Sequence, residues 1–235
     1  MKKVLVLSAL ACLAAGGAEA AGGKPAMAVF DFTNSTQAAW WYTGVGSDLA
    51  DMLTNELAST EKFKMIERKQ LGAILGEQDL AASGAVKKGT GAKVGKMTGA
   101  QYLVTGQVSA YEENVGGKGG AIGFKGIGVG GKKEEAYIAI DLRVVDTTTS
   151  EVAYTRTVEA KSKSTAIAVG IDKGGVSAGF GKMEKTPAGK AIRACLIEIS
   201  EYLGCVMVDK GSCIDEYAQK EKARKEKTKG KVKLE

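Results

Sequence analysis

The apolar residues of this chain follow two periods in alternation, one typical of helices and the other typical of strands. Residues 24–32 and 62–68 alternate between apolar and polar side chains, which predicts strands. Between them we expect a helix with an N-cap at Ser47 or Asp48 and one buried stripe. The members of this stripe are Leu49, Met52, Leu53 and Leu57.

The rest of the chain continues this alternation of helix and strand patterns. The predicted helices are a second over 70–82 built on Leu71, Ile74, Leu75 and Leu80, a short third over 92–97, and a last over 186–208. The predicted strands cover 101–111, 137–146 and 151–160. Pro187 suits the first turn of the last helix, because its missing N–H would have no partner there. Helices alternating with strands indicate an α/β or α+β sandwich.

Two stretches do not fit that sandwich, and the first of them is rich in glycine. Residues 116–131 contain nine glycines in sixteen positions, a composition typical of a flexible loop. Their GxGxGG run resembles a phosphate-binding loop only weakly, because a strand rather than a helix is expected to follow it. Composition alone therefore favours a loop here.

The second stretch, residues 165–183, alternates more regularly. Two short runs flank a turn at 172–175, with apolar residues on one face and small or polar residues on the other. This pattern is typical of a transmembrane β-hairpin, although a half-buried hairpin of a soluble sheet has the same periodicity. The residues on the apolar face are Ile167, Val169, Ile171, Val176, Ala178 and Phe180.

Membrane insertion of these two stretches would impose a geometric requirement. No later segment contains the run of about 20 apolar residues that a membrane helix needs, so any crossing must be made by strands. Four strands from one chain would leave unpaired edges in lipid, and a closed barrel therefore needs further copies of the chain. At four strands per copy, a barrel near the upper limit of about 36 strands takes about nine chains.

The first twenty residues are typical of a secretory signal peptide. Lys2 and Lys3 precede a short apolar run, and Ala18 and Ala20 form an A-x-A ending. We therefore expect cleavage after Ala20. The alternative, lipidation at Cys12, lacks the leucine that usually lies three positions before such a cysteine.

The absence of histidine excludes several classes of enzyme. Without histidine the chain has no His-based triad, no His proton relay and none of the commonest zinc sites. Glu77 and Asp79 are neighbouring carboxylates, but they are expected on a solvated helix face. Since no P-loop is present either, the sequence predicts no nucleotide motor, no catalytic residue, no cofactor and no metal site.

The C-terminal region holds most of the net charge and three of the four cysteines. Residues 220–235 carry eight basic and three acidic side chains, within a chain of formal charge +6. A tail this polar is expected to be a solvated helix rather than a nucleic-acid patch, so no nucleic-acid partner is predicted. An oxidising compartment permits a Cys205–Cys213 disulfide, whereas Cys195 is expected to be a small buried side chain.

Three runs of residues resemble the curli-production transport (CsgG-like) family. They are GVGSDLADMLTNELASTEKFKMIERKQLGAILGEQDLAASGAV (44–86), VGKMTGAQYLVTGQVSAYEENVGG (94–117) and AIDLRVVDTTTSEV (139–152). The similarity runs in order from Pro25 to about Asp209. It implies an α+β subunit, in which a periplasmic α/β sandwich carries two β-hairpins that oligomerise into a large transmembrane β-barrel. Such a barrel is a passive channel for unfolded polypeptide.

The resemblance also implies a loop over 34–43 that narrows the channel. An ungapped alignment back from the first helix places Trp41 at an aromatic constriction position and Trp40 at a neighbouring amide position. The family's further aromatic falls on Thr36, where this chain departs from the pattern, and Tyr42 is a candidate substitute. The alternative for both tryptophans is an anchor in the core or at a subunit interface.

The resemblance implies an outer-membrane location, and four kinds of partner. These are further copies of the chain in a ring, outer-membrane lipid, a secreted unfolded polypeptide such as a curli-like subunit, and accessory secretion proteins. The alternative is a periplasmic binding or activator module of the LpoB type, which shares the sandwich and lacks membrane hairpins.

The channel hypothesis divides the chain into seven parts. They are a signal peptide (1–20), a first periplasmic part (21–112) with the loop 34–43, a first membrane hairpin (113–136), periplasmic strands (137–160), a second membrane hairpin (161–185), a C-terminal helical part (186–215) and a basic polar tail (216–235).

Overall fold

One mixed sheet carries the fold. The computed structural model describes residues 23–116, 122–124, 127–168 and 186–230. The strands are β1 (Ala26–Val29), β2 (Thr33–Asn34), β3 (Lys64–Met65), β4 (Tyr102–Gly116), β5 (Ile122–Phe124), β6 (Ile127–Asp146) and β7 (Val152–Ala168). The helices are α1 (Val45–Ser59), α2 (Leu71–Ala82), α3 (Pro187–Leu203), which continues as a π-helical turn (Gly204–Asp209), and α4 (Cys213–Lys229). The predicted mixed α+β class is confirmed.

The strands combine parallel and antiparallel pairing. β1 lies between β3 and β4 and is parallel to both, and the short β2 is parallel to β4 further along. β4, β6 and β7 then form a long antiparallel ribbon, while β5 pairs with the far end of β6. Residues 147–150, between two of the predicted strands, form the turn that joins β6 to β7. The Asp146 carboxylate accepts hydrogen bonds there from the backbone of Thr148 and Thr149.

The core lies on one face of this sheet, because alternate residues of the strands are apolar. On β6 these are Ile138, Ile140, Leu142 and Val144, at most 1% exposed. Helices α1 and α3 cover this face and contact one another. Burial of these aliphatic side chains is the main term that stabilises the fold.

Helix α1 confirms its predicted stripe but not its predicted start. Leu49, Leu53 and Leu57 are fully buried. The helix begins at Val45 and its N-cap is Gly44 at φ 104°, in the left-handed region that glycine tolerates, so neither Ser47 nor Asp48 is the cap. Gly46 sits so close to the segment between β1 and β2 that a Cβ there would lie 2.2 Å from the Phe32 carbonyl oxygen.

The predicted last helix is confirmed, and it carries the cysteine that was expected to be buried. Thr186 caps α3 by accepting the Gly189 N–H at 3.1 Å, one residue before Pro187 at the first position. Cys195 is fully buried, as expected. Cys205 and Cys213 form a disulfide, which joins the π-helical turn to α4.

Helix α2 and the segment after it differ from the sequence-based expectation. Leu75 and Leu80 are 45% and 47% exposed, so the expected stripe of this helix is not buried within the chain. Helical periodicity reports an apolar face but not what covers it. The short helix predicted over 92–97 is wrong: these residues form a turn at Val94 and Gly95 flanked by irregular backbone, and Gly95 takes a positive φ of 74° that interrupts a helix.

None of the helices in the described parts of the chain combines the length and the apolar character needed to cross a membrane.

Candidate functional site: the tryptophan loop and the long strands

Residues 35–44, here called the tryptophan loop, begin with a turn built by one asparagine. The Asn34 side-chain oxygen accepts hydrogen bonds from the Thr36 N–H at 2.9 Å and the Thr36 hydroxyl at 2.7 Å. Just before this, the Ser35 N–H and hydroxyl both donate to the Val108 carbonyl, at 3.0 and 3.2 Å. The loop therefore starts from a fixed point on β4, and the Thr36 hydroxyl is engaged inside the turn.

The two tryptophans lie together against the end of the core. Their ring centroids are 5.6 Å apart, and the Trp40 ring meets Tyr111 of β4 edge-on at 5.5 Å and 73°. Both indoles are partly buried against the core cluster, whereas Tyr42 is 42% exposed. This arrangement fits the core-anchor alternative for Trp40. The assignment of Thr36, Trp40, Trp41 and Tyr42 to a constriction remains a prediction.

Tyr111 was not singled out by sequence, where it only ended a predicted strand. Its hydroxyl donates to the Glu113 carboxylate at 2.9 Å, and burial together with that carboxylate raises the pKa of Tyr111 well above its usual range. The nearby Trp40 N–H acts in the opposite direction and lowers the pKa of Tyr111, although this buried N–H has no acceptor in hydrogen-bonding geometry within the described parts of the chain. Tyr111 is thus a neutral aromatic contact at the inner side of the tryptophan loop.

An open cleft of about 620 Å³ lies beside the loop at the start of α1. Lys69 crosses its rim, donating to the Ser47 carbonyl at 2.5 Å and to the Asp51 carboxylate at 2.6 Å. The Lys69 backbone N–H, hydrogen-bonded to Glu67, holds the pKa of that carboxyl below its usual value. These contacts brace the start of α2 against α1.

The long strands extend beyond the part of the sheet that the helices cover. Gly116 of β4 is in register with Lys133 of β6, and β6 in turn pairs Gly130 with Ala168 of β7. The ribbon therefore reaches into both stretches that the sequence separates from the sandwich, and 122–124 and 127–131 are strand rather than loop.

Most of the predicted lipid-facing residues lie outside the described residues. Ile167 belongs to β7, where its backbone is in register with Gly131. The other predicted members are Val169, Ile171, Val176, Ala178 and Phe180, which, like the lipidation candidate Cys12, fall outside the described parts.

Comparison with known families decides the relationship. The family model described as curli production assembly/transport component CsgG matches residues 10–232. This chain belongs to the CsgG family. The match includes the tryptophan loop, the three long strands and the stretches 116–131 and 165–183, and the family is one of transport components rather than of enzymes.

Curated relatives of the CsgG-family chain match over part of their length. A putative lipoprotein of Neisseria meningitidis serogroup B is 30% identical over 128 residues, which is 53% of this chain and 52% of that protein. The curli production assembly/transport component CsgG of Salmonella typhimurium is 28% identical over 142 residues, 55% of this chain and 50% of that protein. The chain thus spans about half the length of the curated relatives it matches.

Solved structures similar to this CsgG-family chain include two from other bacteria. A Chlamydia trachomatis protein has a TM-score of 0.43 at 14% identity, covering 77% of this chain and 96% of its own. The LpoB C-terminal domain of Salmonella enterica has a TM-score of 0.31 at 18% identity, covering 58% of this chain and 82% of its own.

A cluster of one arginine and two tyrosines holds the C-terminal helix of this CsgG-family chain against the sheet. Sequence patterns did not predict this cluster. Arg156 of β7 lies between the rings of Tyr202 and Tyr217, 4.9 and 4.7 Å from their centroids. Further along, Arg224 pairs with Glu159 at 3.5 Å. The helical part of the predicted tail is therefore docked along β7, although its remaining side chains are mostly exposed. In the sequence, the one signal that this helix is attached to the fold was Cys213, its first residue.

Proposed function

We propose that this chain is one subunit of an oligomeric outer-membrane channel through which unfolded polypeptide passes passively from the periplasm to the cell surface. The observation that carries this proposal is the CsgG family match, which spans residues 10–232 and includes the stretches proposed as membrane hairpins. The proposed cargo is a curli-like subunit or another extended chain.

The antiparallel ribbon supports an assembled barrel. β4, β6 and β7 are 15, 20 and 17 residues long, whereas a strand of about 9–11 residues spans a bilayer. β6 is therefore long enough to serve the helix-covered sheet over 137–146 and to continue into a membrane over 127–136, and β4 and β7 accompany it past residues 112 and 160. Because an open ribbon would present unpaired backbone groups to lipid, the proposed barrel closes through further copies of the chain.

The position of the tryptophan loop supports its assignment as the constriction of the proposed channel. The loop lies at the end of the sheet from which the ribbon extends, since Trp40 contacts Tyr111 and β4 continues from there toward the first hairpin. In a ring of copies, repeated Trp41 side chains would narrow the passage and offer an extended chain sliding contacts. Capture or folding of the cargo outside the cell would supply the driving force.

The proposed location is the outer membrane, with the helix-covered sheet in the periplasm. Partners in this proposal are other copies of the chain, outer-membrane lipid, the cargo and accessory secretion proteins. Export by residues 1–20 and insertion through residues 113–136 and 161–185 belong to the same proposal.

Purification of the full chain in detergent tests the proposal directly. We expect a ring in electron micrographs and, after reconstitution into planar bilayers, steady ion conductance. Trp41→Ala should widen the passage and raise the conductance per ring. Lys222→Ala is the control, because this 78% exposed side chain lies on α4, outside the tryptophan loop, and its loss should leave the conductance unchanged. Unchanged conductance in Trp41→Ala rings would contradict the constriction, while a monomer that stays soluble without detergent and gives no conductance would favour the LpoB-type module.

A further inference from the structure

The tryptophan loop contacts one strand at two points. Ser35 donates to the Val108 carbonyl, and Trp40 packs edge-on against Tyr111, three residues further along β4. The regular pairing of β4 with β6 shifts between Val108 and Ala110, which places an irregularity of the strand between the two contacts. A bulge of this kind bends a strand and redirects the side chains that follow it.

We propose that Tyr111 is the positioning residue of the tryptophan loop. Through its contact with Trp40, the position of the loop depends on the position of β4, the strand that leads into the first hairpin. This inference rests on the proposed function, because it assigns a cause to the position of the proposed constriction. It makes the width of the passage depend on a residue that does not itself line it.

The hydrogen bonding of the Trp40 indole supports the dependence of the loop position on Tyr111. Among the residues that the structure describes, its buried N–H has no hydrogen-bond acceptor, which opposes the packed position, since a buried donor without an acceptor loses its hydration. Ring contacts with Tyr111 and Trp41 and burial against the core must outweigh that cost. Weakening the Tyr111 contact should therefore release the indole toward water, where its N–H finds partners.

The Tyr111 hydroxyl and ring have separable roles. The hydroxyl donates to the exposed Glu113 carboxylate, whereas the ring supplies the edge-on contact with Trp40. Tyr111→Phe keeps the ring and removes the hydroxyl, and so it should keep the loop in place. Tyr111→Leu keeps most of the buried volume but removes the aromatic contact, and so it should release the loop.

The chain offers an intrinsic reporter, because its two tryptophans both lie in this loop. In a Trp41→Phe background of the full chain, emission and acrylamide quenching report on Trp40 alone. We expect Tyr111→Leu and Tyr111→Ala to shift Trp40 emission to longer wavelength and to increase quenching. Tyr102→Leu is the matched control, since Tyr102 is a partly buried tyrosine at the opposite end of β4, and Trp40 emission should stay unchanged in that variant.

Conductance of reconstituted rings with native Trp41 completes the test. Tyr111→Leu should change the conductance per ring, while Tyr111→Phe and Tyr102→Leu leave it at the wild-type value. Unchanged Trp40 emission in Tyr111→Leu, an equal shift in Tyr102→Leu, or shifted emission with unaltered conductance would each overturn the inference. If no protein conducts, the emission result still decides the positioning role, and the failure then belongs to the proposed channel.

Discussion

Tyr217 covers Arg156: the guanidinium carbon of Arg156 lies 4.7 Å from the centroid of the Tyr217 ring, and the Tyr217 carbonyl accepts from the same guanidinium at 3.3 Å. The Arg156 side chain is 9% exposed, so this stacking takes place largely out of water. A cation over an aromatic ring is more strongly attracted when it is desolvated. This contact attaches the basic C-terminal helix to the sheet.

Removing the Tyr217 ring should undock α4. We expect Tyr217→Ala to lower the free energy of unfolding by about 2–4 kcal/mol, through the lost burial and the lost cation–π contact. Urea denaturation followed by circular dichroism measures this change. Lys222→Ala on the same helix is the control, because its side chain is 78% exposed and the expected change is at most about 0.5 kcal/mol. Equal effects of the two variants would contradict the docking role of Tyr217.

The Cys205–Cys213 disulfide should add to the same attachment. Its short loop spans a sequence separation of 8, for which restriction of the unfolded chain predicts a stabilisation of about 2–3 kcal/mol. We therefore expect the double variant Cys205→Ser with Cys213→Ser to unfold at lower urea concentration than the wild type. Dithiothreitol should lower the wild-type midpoint and leave that of the double variant unchanged. A reductant effect of equal size on both proteins would show that the bridge is not its cause.

Cys195 should be unreactive in the folded chain and should make stability sensitive to alkaline pH. Burial raises the pKa of its thiol to about 12, so at pH 8 almost no thiolate is present. Because the folded pKa exceeds the unfolded value of about 9, the folded state holds this proton more tightly. The associated stability is complete below pH 9 and is lost as the pH rises toward 12.

Alkylation and unfolding measurements check the Cys195 prediction together. Iodoacetamide at pH 8 should label Cys195 in urea but not in buffer. Between pH 9 and 10 the wild type should lose more stability than Cys195→Val, which keeps a buried side chain and has no proton to release. Rapid labelling of the native chain at pH 8 would contradict the burial of this thiol.

Leucines on the first two helices should respond differently to the same substitution. Leu53 is fully buried, so Leu53→Ala is expected to cost about 2–5 kcal/mol of unfolding free energy. Leu75 is 45% exposed, so Leu75→Ala in the dissociated subunit is expected to cost no more than about 0.5 kcal/mol. Urea denaturation of the dissociated subunit tests both. A large loss in Leu75→Ala would mean that α2 packs against the body of its own chain.

The second proposed hairpin should tolerate charge on one face only. Lysine near the bilayer midplane on a lipid-facing position costs about 2–4 kcal/mol, whereas the interior of a barrel accepts polar residues. Ile167 and Ala168 are neighbours with opposite proposed faces, so Ile167→Lys and Ala168→Lys form a matched pair. We expect the first to reduce ring formation in detergent and the second to leave it intact. Equal loss in both would contradict the assigned faces.

Sequence patterns anticipated the elements that repeat a simple period. Local periodicity, turn chemistry and helix-start preferences each act over a few residues. They therefore predicted the Leu49–Leu57 stripe, the β6–β7 pair and the first turn of α3 at Pro187. The start of α1 could not be predicted, because the left-handed Gly44 and the close approach of Gly46 to Phe32 depend on the segment between β1 and β2 that packs beside them. The expected helix over 92–97 failed for a related reason, since Gly95 adopts a left-handed turn.

The sequence by itself determined the mixed α+β class, the absence of histidine chemistry, the family relationship and the two segments proposed as membrane hairpins. Only the tertiary structure placed Trp40 against Tyr111, Arg156 between two tyrosines, and Leu75 and Leu80 at the surface. The physical reason is the range of the interactions. Periodicity depends on neighbours along the chain, whereas Trp40 and Tyr111, like Arg156 and Tyr217, become neighbours only when the sheet and its helices have packed.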